Sequence, residues 1–312
     1  MTSAPAVEAR DVYKSYPGVD AVRGLDLTVG QGEFFGFLGP NGAGKSTTIS
    51  MLCTLVRPTR GRIEIAGHDT QKVPDRVRRQ LGLVFQEDTL DGELTAGENL
   101  RFHADLYALP RVGLREQIEA KLALVGLRER RDSLVRTFSG GMRRRLEIAR
   151  GLLHRPRVLF LDEPTVGLDP QSRNGIWEHL RAARRQEGTT LFLTTHYLDE
   201  AEQCDRIAII DGGRIVAQGT PDELKAVIGA ARIGLRTGDD RAAARTLREK
   251  FGLEADPVDD GQGLRFRAKD GARLVPRLCA GLDVPVFEVT VTRPSLDDVF
   301  LHHTGRTIRE EG

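Results

Sequence analysis

The sequence is short of cysteine, of net charge and of long apolar runs. Its three cysteines, Cys53, Cys204 and Cys279, are odd in number and far apart. They make neither a disulfide framework nor a metal-ligand spacing, which points to reduced thiols in a cytosolic protein. Lysine and arginine number 46 against 45 acidic residues, a net charge of +1. Such a balance lacks the basic footprint of a nucleic-acid binder, so no nucleic-acid partner is expected. The basic residues are mostly arginine, which reads first as genome composition. No stretch approaches the roughly 18 apolar residues of a membrane span, and the chain is not expected to cross a membrane by itself. Its start, MTSAPAVEARD, has no apolar signal-peptide core. Internal repeats and low-complexity tracts are missing too.

What is present is an alternation of strands and helices. Residues 7 to 38 read as short strands with turns at Pro17-Gly18 and Gly30-Gln31-Gly32. EFFGFLG (33–39) is a strand running into a glycine turn, and STTISMLCTL (46–55) is helical. GRIEIAG (61–67) and LGLVFQ (81–86) are further strands, and residues 92 to 154 are mostly helical. VLFLDE (158–163), TTLFLTTH (189–196) and RIAIID (206–211) are continuous apolar runs between helical segments. That pattern predicts parallel strands buried on both faces, with DGGRIVAQG as a hairpin return. The expected fold is an α/β nucleotide-binding core with a helical insertion over about 87–155. A tail of order β-α-β-β-α-β suggests a small ferredoxin-like α+β domain. The expected boundary puts 1–221 in the first domain and 222–312 in the second.

GPNGAGKST (39–47) satisfies G-x-x-x-x-G-K-[ST] between a strand and a helix, the context this phosphate loop requires. Gly39, Asn41, Gly42, Ala43 and Gly44 turn backbone N–H groups inward around phosphate oxygens. Lys45 reaches the β- and γ-phosphates, Ser46 offers a hydroxyl to Mg²⁺, and Thr47 continues the helix entrance. In VLFLDE, Asp162 and Glu163 emerge at the end of a buried strand. An acid so placed holds Mg²⁺, and a second beside it can deprotonate the attacking water.

FSGGM (138–142) resembles the L-S-G-G-Q signature of ATP-binding cassette (ABC) ATPases. The other motifs of that family occur in order: GPNGAGKST, Gln86, FSGGM, VLFLDEP, GLD (167–169) and His196. The resemblance covers roughly residues 7 to 220. It implies a P-loop ABC cassette with a RecA-like core, an antiparallel β subdomain and the helical insertion. It also implies a head-to-tail homodimer with ATP sandwiched between the P-loop of one copy and the signature of the other. Tyr16 matches the adenine-stacking aromatic, with Tyr13 as competitor. Gln86 matches the residue that contacts Mg²⁺ and water and links to the membrane partner. Glu163 matches the catalytic base, Asp169 the acid that communicates between sites, and His196 the γ-phosphate contact. Ser139, Gly140 and Gly141 match the signature residues that hold phosphate. Two departures stand out: Phe138 replaces leucine, and Met142 lacks the polar contacts of the usual glutamine.

RPSLDDVFLHHTG (293–305) resembles the C-terminal element of daunorubicin-resistance-type exporter ATPases. That resemblance implies an ATPase subunit on the cytoplasmic face of the membrane, driving drug export through a separate permease. Leu296, Val299 and Phe300 would also form the buried stripe of a closing helix. Alternative cargoes are a lipid, a polysaccharide, an ion or an imported nutrient. DNA-repair cassettes need long coiled coils between P-loop and signature, and here there are no sustained heptads. Translation-associated cassettes usually carry two cassettes in one chain, and a GTPase would need N-K-x-D, which is absent. The groove near Gln86 and residues 87–100 is the expected permease dock, and the tail from 222 is expected to stabilise or regulate assembly. Behind the signature glycines, Met142, Leu146, Ala149 and Leu153 form an apolar stripe. Arg143, Arg144 and Arg145 spread around the helix and are expected to be largely solvated.

Overall fold

In the computed structural model the chain opens with a long antiparallel hairpin, β1 (Val7–Tyr16) and β2 (Val19–Val29). The structure describes residues 4–229, 231–257, 263–268 and 271–306. β3 (Phe34–Leu38) is buried along its whole length and leads through a glycine turn into α1 (Lys45–Leu52). β4 (Arg60–Ile65) and β5 (His68–Asp69) return to the hairpin, and α2 (Pro74–Arg78) leads to β6 (Leu81–Val84). The helical insertion carries α3 (Ala96–Leu106), α4 (Leu114–Leu124) and α5 (Gly140–Gly151). Next come β7 (Val158–Asp162), α6 (Pro170–Glu187), β8 (Thr190–Thr195) and α7 (Leu198–Ala201). The hairpin of β9 (Arg206–Asp211) and β10 (Arg214–Gly219) follows.

Two sheets share these strands. One is antiparallel, in the order β2-β1-β4-β5, and the other runs β10-β9-β3-β8-β7-β6. Within the second, β9, β3, β8, β7 and β6 are parallel, as their continuous apolar runs imply. Phe35, Phe37, Phe160 and Phe192 fill the space between the layers with tilted ring contacts. Gly36 in β3 is a packing requirement, because a Cβ there would lie 2.9 Å from Cys204 Sγ and from Ile207. The strand order matters for function. β8 lies between β3 and β7, so the carboxyl ends of these three strands open side by side, where open α/β sheets place their ligands.

Two readings need adjustment. The first strands are long rather than short, because the hairpin absorbs register shifts near Val12 and Ser15. The helix expected over 46–55 stops at Leu52, where Cys53 caps it and Thr54 turns to φ +63°.

The chain divides into two compact units, the first ending at Pro221 and the second beginning at Asp222. The second unit starts with α8 (Pro221–Ile228) and β11 (Ala231–Thr237), then α9 (Asp240–Phe251) and β12 (Asp256–Pro257). It ends with β13 (Leu264–Ala268), α10 (Gly271–Gly281), β14 (Val286–Thr292) and α11 (Leu296–Thr304). Its sheet is antiparallel in the order β12-β13-β11-β14, the ferredoxin-like arrangement of a β-α-β-β-α-β chain. Ile233, Leu235, Leu247, Phe266 and Leu278 form its own core. The second strand of that order is short, at Asp256–Pro257, and residues 258–259 lie outside the described residues. Leu296, Val299 and Phe300 are buried on α11, as the stripe predicts.

Candidate functional site: a P-loop cleft and a separate signature

The turn after β3 needs its glycines. Gly42 and Gly44 sit at φ +78° and +106°, a region open mainly to glycine. A Cβ on Gly44 would also stand 2.5 Å from the Ala21 carbonyl, and one on Gly39 2.5 Å from that of Ile210. Ala43 is buried and ties the loop to β10's turn by accepting from Gly213 N at 3.0 Å. Lys45 is the first residue of α1 and is almost wholly buried. Its Nζ donates to the Gly39 and Pro40 carbonyls, at 2.7 and 3.2 Å, and lies 3.2 Å from Glu163 Oε1.

β7 delivers the acidic pair. Asp162 accepts from Thr194 Oγ1 at 2.5 Å. Burial raises its pKa most, and the adjacent Glu163 charge adds to that, while Thr194, Lys45 and Ser46 oppose the rise. Glu163 is buried and held at φ +46°, an uncommon backbone for a non-glycine residue. Its N–H is fixed by the Thr194 hydroxyl at 3.1 Å. His196 Nδ1 lies 3.3 Å from Glu163 Oε1, but it is a buried atom without hydrogen-bond geometry to any partner, so proximity rather than a bond relates them.

These groups meet in one open cleft of about 820 Å³. Asn41, Gly42, Gly44, Lys45, Ser46, Thr47, Gln86, Glu163 and His196 all line it. Asp162 stands behind this lining at the end of β7. Tyr16 is exposed at the end of β1, with Lys14 Nζ 4.8 Å over its ring. Tyr13 also carries a cation, Arg60 at 4.2 Å, and is half-buried, which leaves Tyr16 as the more exposed ring.

Ser139, Gly140, Gly141 and Asp169 do not line the cleft. They form a second locus where α5 meets α6. Ser139 caps α5 by accepting from Met142 N at 3.3 Å, and Asp169 caps α6 by accepting from Ser172 N at 2.9 Å. These bonds to Ser172 hold the exposed Asp169 carboxyl below its ordinary range. Gly141 packs on Ser172, whose Oγ would lie 2.6 Å from an added Cβ, whereas a Cβ on Gly140 would meet only Leu168 at 3.6 Å. Phe138 is a buried anchor, as the leucine it replaces would be.

One reading is corrected. Arg144 is buried, not solvated. It faces the segment after β6, while Arg143 pairs with Asp88 and Arg145 donates to the Val125 carbonyl at 3.1 Å. Met142 is only half-buried, so the apolar stripe rests on Leu146, Ala149 and Leu153. Glu200 went unnoticed in the sequence. It is buried beneath the cleft, accepts from Thr165 Oγ1 and, at 2.5 Å, from Thr195 Oγ1, and so ties the turn after Glu163 to the strand before His196. Burial raises its pKa, against the two threonine bonds. An acidic residue in a short helix carries no periodic signal of burial.

A glycine loop with a buried lysine, facing a strand-end carboxylate pair, defines a P-loop nucleoside-triphosphatase. Residues 22–166 match the family model of the ABC transporter. The sequence is 44% identical to the daunorubicin/doxorubicin resistance ATP-binding protein DrrA of Streptomyces peucetius, over 96% of this chain and 92% of that one. It is 38% identical to the Nod factor export ATP-binding protein I of Ralstonia nicotianae, over 99% and 96%. The ATP-binding cassette MJ0796, solved as a post-hydrolysis dimer bound to ADP and Pi, matches with a TM-score of 0.62. That match has 28% identity and covers 69% of this chain and 98% of the other. The chain belongs to the ABC transporter ATP-binding family and is an ATP-hydrolysing cassette. No helix among the described residues is long and apolar enough to cross a membrane.

Proposed function

We propose that this chain is the ATPase subunit of an exporter, seated on the cytoplasmic face of the membrane and driving efflux of a drug or antibiotic through a separate membrane permease. The observation that carries the cargo class is the 44% identity, over 96% of this chain, to a protein named for daunorubicin/doxorubicin resistance. The relative named for Nod factor export supports the outward direction.

In this reading the P-loop, Gly39 to Thr47, holds the triphosphate and Tyr16 stacks on adenine. Ser46, Gln86 and Asp162 would hold Mg²⁺. Their hydroxyl, amide and carboxylate oxygens are the hard donors that ion selects, and a partly buried carboxylate at the strand end fits it. Bound there, the ion would neutralise charge developing on the phosphates. Glu163 takes the proton of the attacking water, and His196 contacts the γ-phosphate. Lys45, held by the Gly39 and Pro40 carbonyls, is already aimed into the loop. Ser139, Gly140, Gly141 and Asp169 serve the nucleotide of a second copy, which explains why they lie outside their own chain's cleft. ATP closes the homodimer and hydrolysis opens it, and the permease docks near Gln86 and residues 87–100. Residues 1–221 form the ATPase, and the unit from 222 stabilises or regulates assembly.

The test is ATP-dependent uptake of daunorubicin into inverted vesicles carrying this chain and the membrane protein that co-purifies with it. Uptake with ATP and none with Glu163→Gln is expected. Brisk ATP turnover with no drug uptake would overturn the cargo while leaving the ATPase.

A further inference from the structure

The arginines behind the signature glycines grip one segment. The Arg144 guanidinium reaches the carbonyls of Phe85 and Gln86, the latter at 2.6 Å, and Glu147 Oε2 at 2.8 Å. Glu147 is 1% exposed. Its other oxygen accepts from Thr89 N and Thr89 Oγ1, at 3.0 and 3.1 Å. Arg150 donates to the Thr89 carbonyl at 2.9 Å, and Arg143 pairs with Asp88 at 2.7 Å. Residues 85–89 are thus fastened to α5 at four of their five positions. Buried charge is costly unless its donors and acceptors are matched, and a guanidinium fork fixes direction as well as distance.

We propose that Arg144 is a positioning residue that joins the Gln86 segment and the signature helix into one rigid body. The segment lining the cleft then sets where the same chain presents Ser139, Gly140 and Gly141 to a nucleotide on a second copy. Information passes from a chain's own cleft to its partner's through this buried arginine. The inference rests on the trans role of the signature proposed above.

The test uses the full chain in the Glu163→Gln background, with sedimentation to follow ATP-driven dimerisation and a fluorescent ATP analogue to follow binding by dilute monomers. Arg144→Ala is expected to leave monomer binding unchanged and to weaken dimerisation at least about tenfold. Arg144→Lys, which keeps charge but not the fork, is expected to recover only part. Amide exchange should rise together at residues 85–89 and 139–142 and stay unchanged at 39–47. If Arg144→Ala does not fold, Thr89→Val removes one hydroxyl partner at constant volume and should give the same pattern more weakly. Normal dimerisation by Arg144→Ala, or loss of ATP binding along with dimerisation, would overturn the proposal. Failure of the Glu163→Gln parent to dimerise would instead reject the trans-signature reading. The exchange pattern then still decides Arg144, since exchange rising at 85–89 alone would reject the rigid body.

Discussion

Lys45 Nζ and Glu163 Oε1 lie 3.2 Å apart across the P-loop cleft, with both side chains almost wholly buried. The lysine opens α1 after the β3 loop and the glutamate follows the end of β7, with β8 between those two strands. Glu163→Gln keeps the shape and removes the base. Turnover is expected to fall by about 10²–10⁴-fold, with ATP still bound and an ATP-dependent dimer accumulating. Phosphate release and size-exclusion chromatography check this, and undiminished hydrolysis would reject Glu163 as the base.

The two signature glycines should respond differently to alanine. Gly140→Ala meets only ordinary contact within its own chain, so its melting temperature should stay put. Its turnover should still fall at least about tenfold if a partner's phosphate must approach that backbone. Gly141→Ala pushes into Ser172, whose Cβ would be 2.9 Å away, so it should lose stability as well. Adding Ser172→Gly should recover part of the lost melting temperature, the remainder reflecting glycine's own cost in α6. Equal melting of both single variants would contradict the contact.

Glu200 is the acceptor for two buried hydroxyls, those of Thr165 and Thr195. Glu200→Ala strands both, at about 1–3 kcal/mol for each unsatisfied group. Glu200→Gln keeps an acceptor and should cost less. Urea unfolding of the two variants measures the difference. Because the turns carrying Glu163 and His196 hang on this residue, kcat should fall with stability.

His103 predicts acid sensitivity. Burial, with His154 and Arg150 nearby, lowers its pKa from 6.5 to about 3. Its Nε2 is buried without a partner, and Tyr107 and His154 pack on it. Between those two pH values the unfolded chain binds a proton that the native chain does not, so stability is full above about 6.5 and falls as pH drops, by up to about 1.4 kcal/mol per unit. Melting temperatures from about pH 7.5 to about pH 5, a range that spans the ordinary histidine pKa of about 6.5, should decline, and His103→Leu should make the decline shallower. An unchanged slope in that variant would assign the sensitivity to other groups.

Much of the chain was legible in one dimension. GPNGAGKST announces a strand, a turn and a helix, because glycine suits the positive-φ backbone at Gly42 and Gly44 and the G-x-x-x-x-G-K-[ST] spacing is that of a phosphate loop. The apolar runs VLFLDE, TTLFLTTH and RIAIID announce buried parallel strands, and the tail's order of elements announces its ferredoxin-like sheet. All of these depend on neighbours along the chain. Periodicity tells which face of an element is buried but not which element covers it. The adjacency of Lys45, Glu163 and His196 comes from the order β3-β8-β7, which no local pattern specifies. Arg144 reads as a solvated charge on a helix, and nothing along the chain marks Glu147 as buried, since charged side chains are rarely buried unless paired. Only the tertiary structure supplies the carbonyls of Phe85 and Gln86 and the Thr89 donors that make burying them possible.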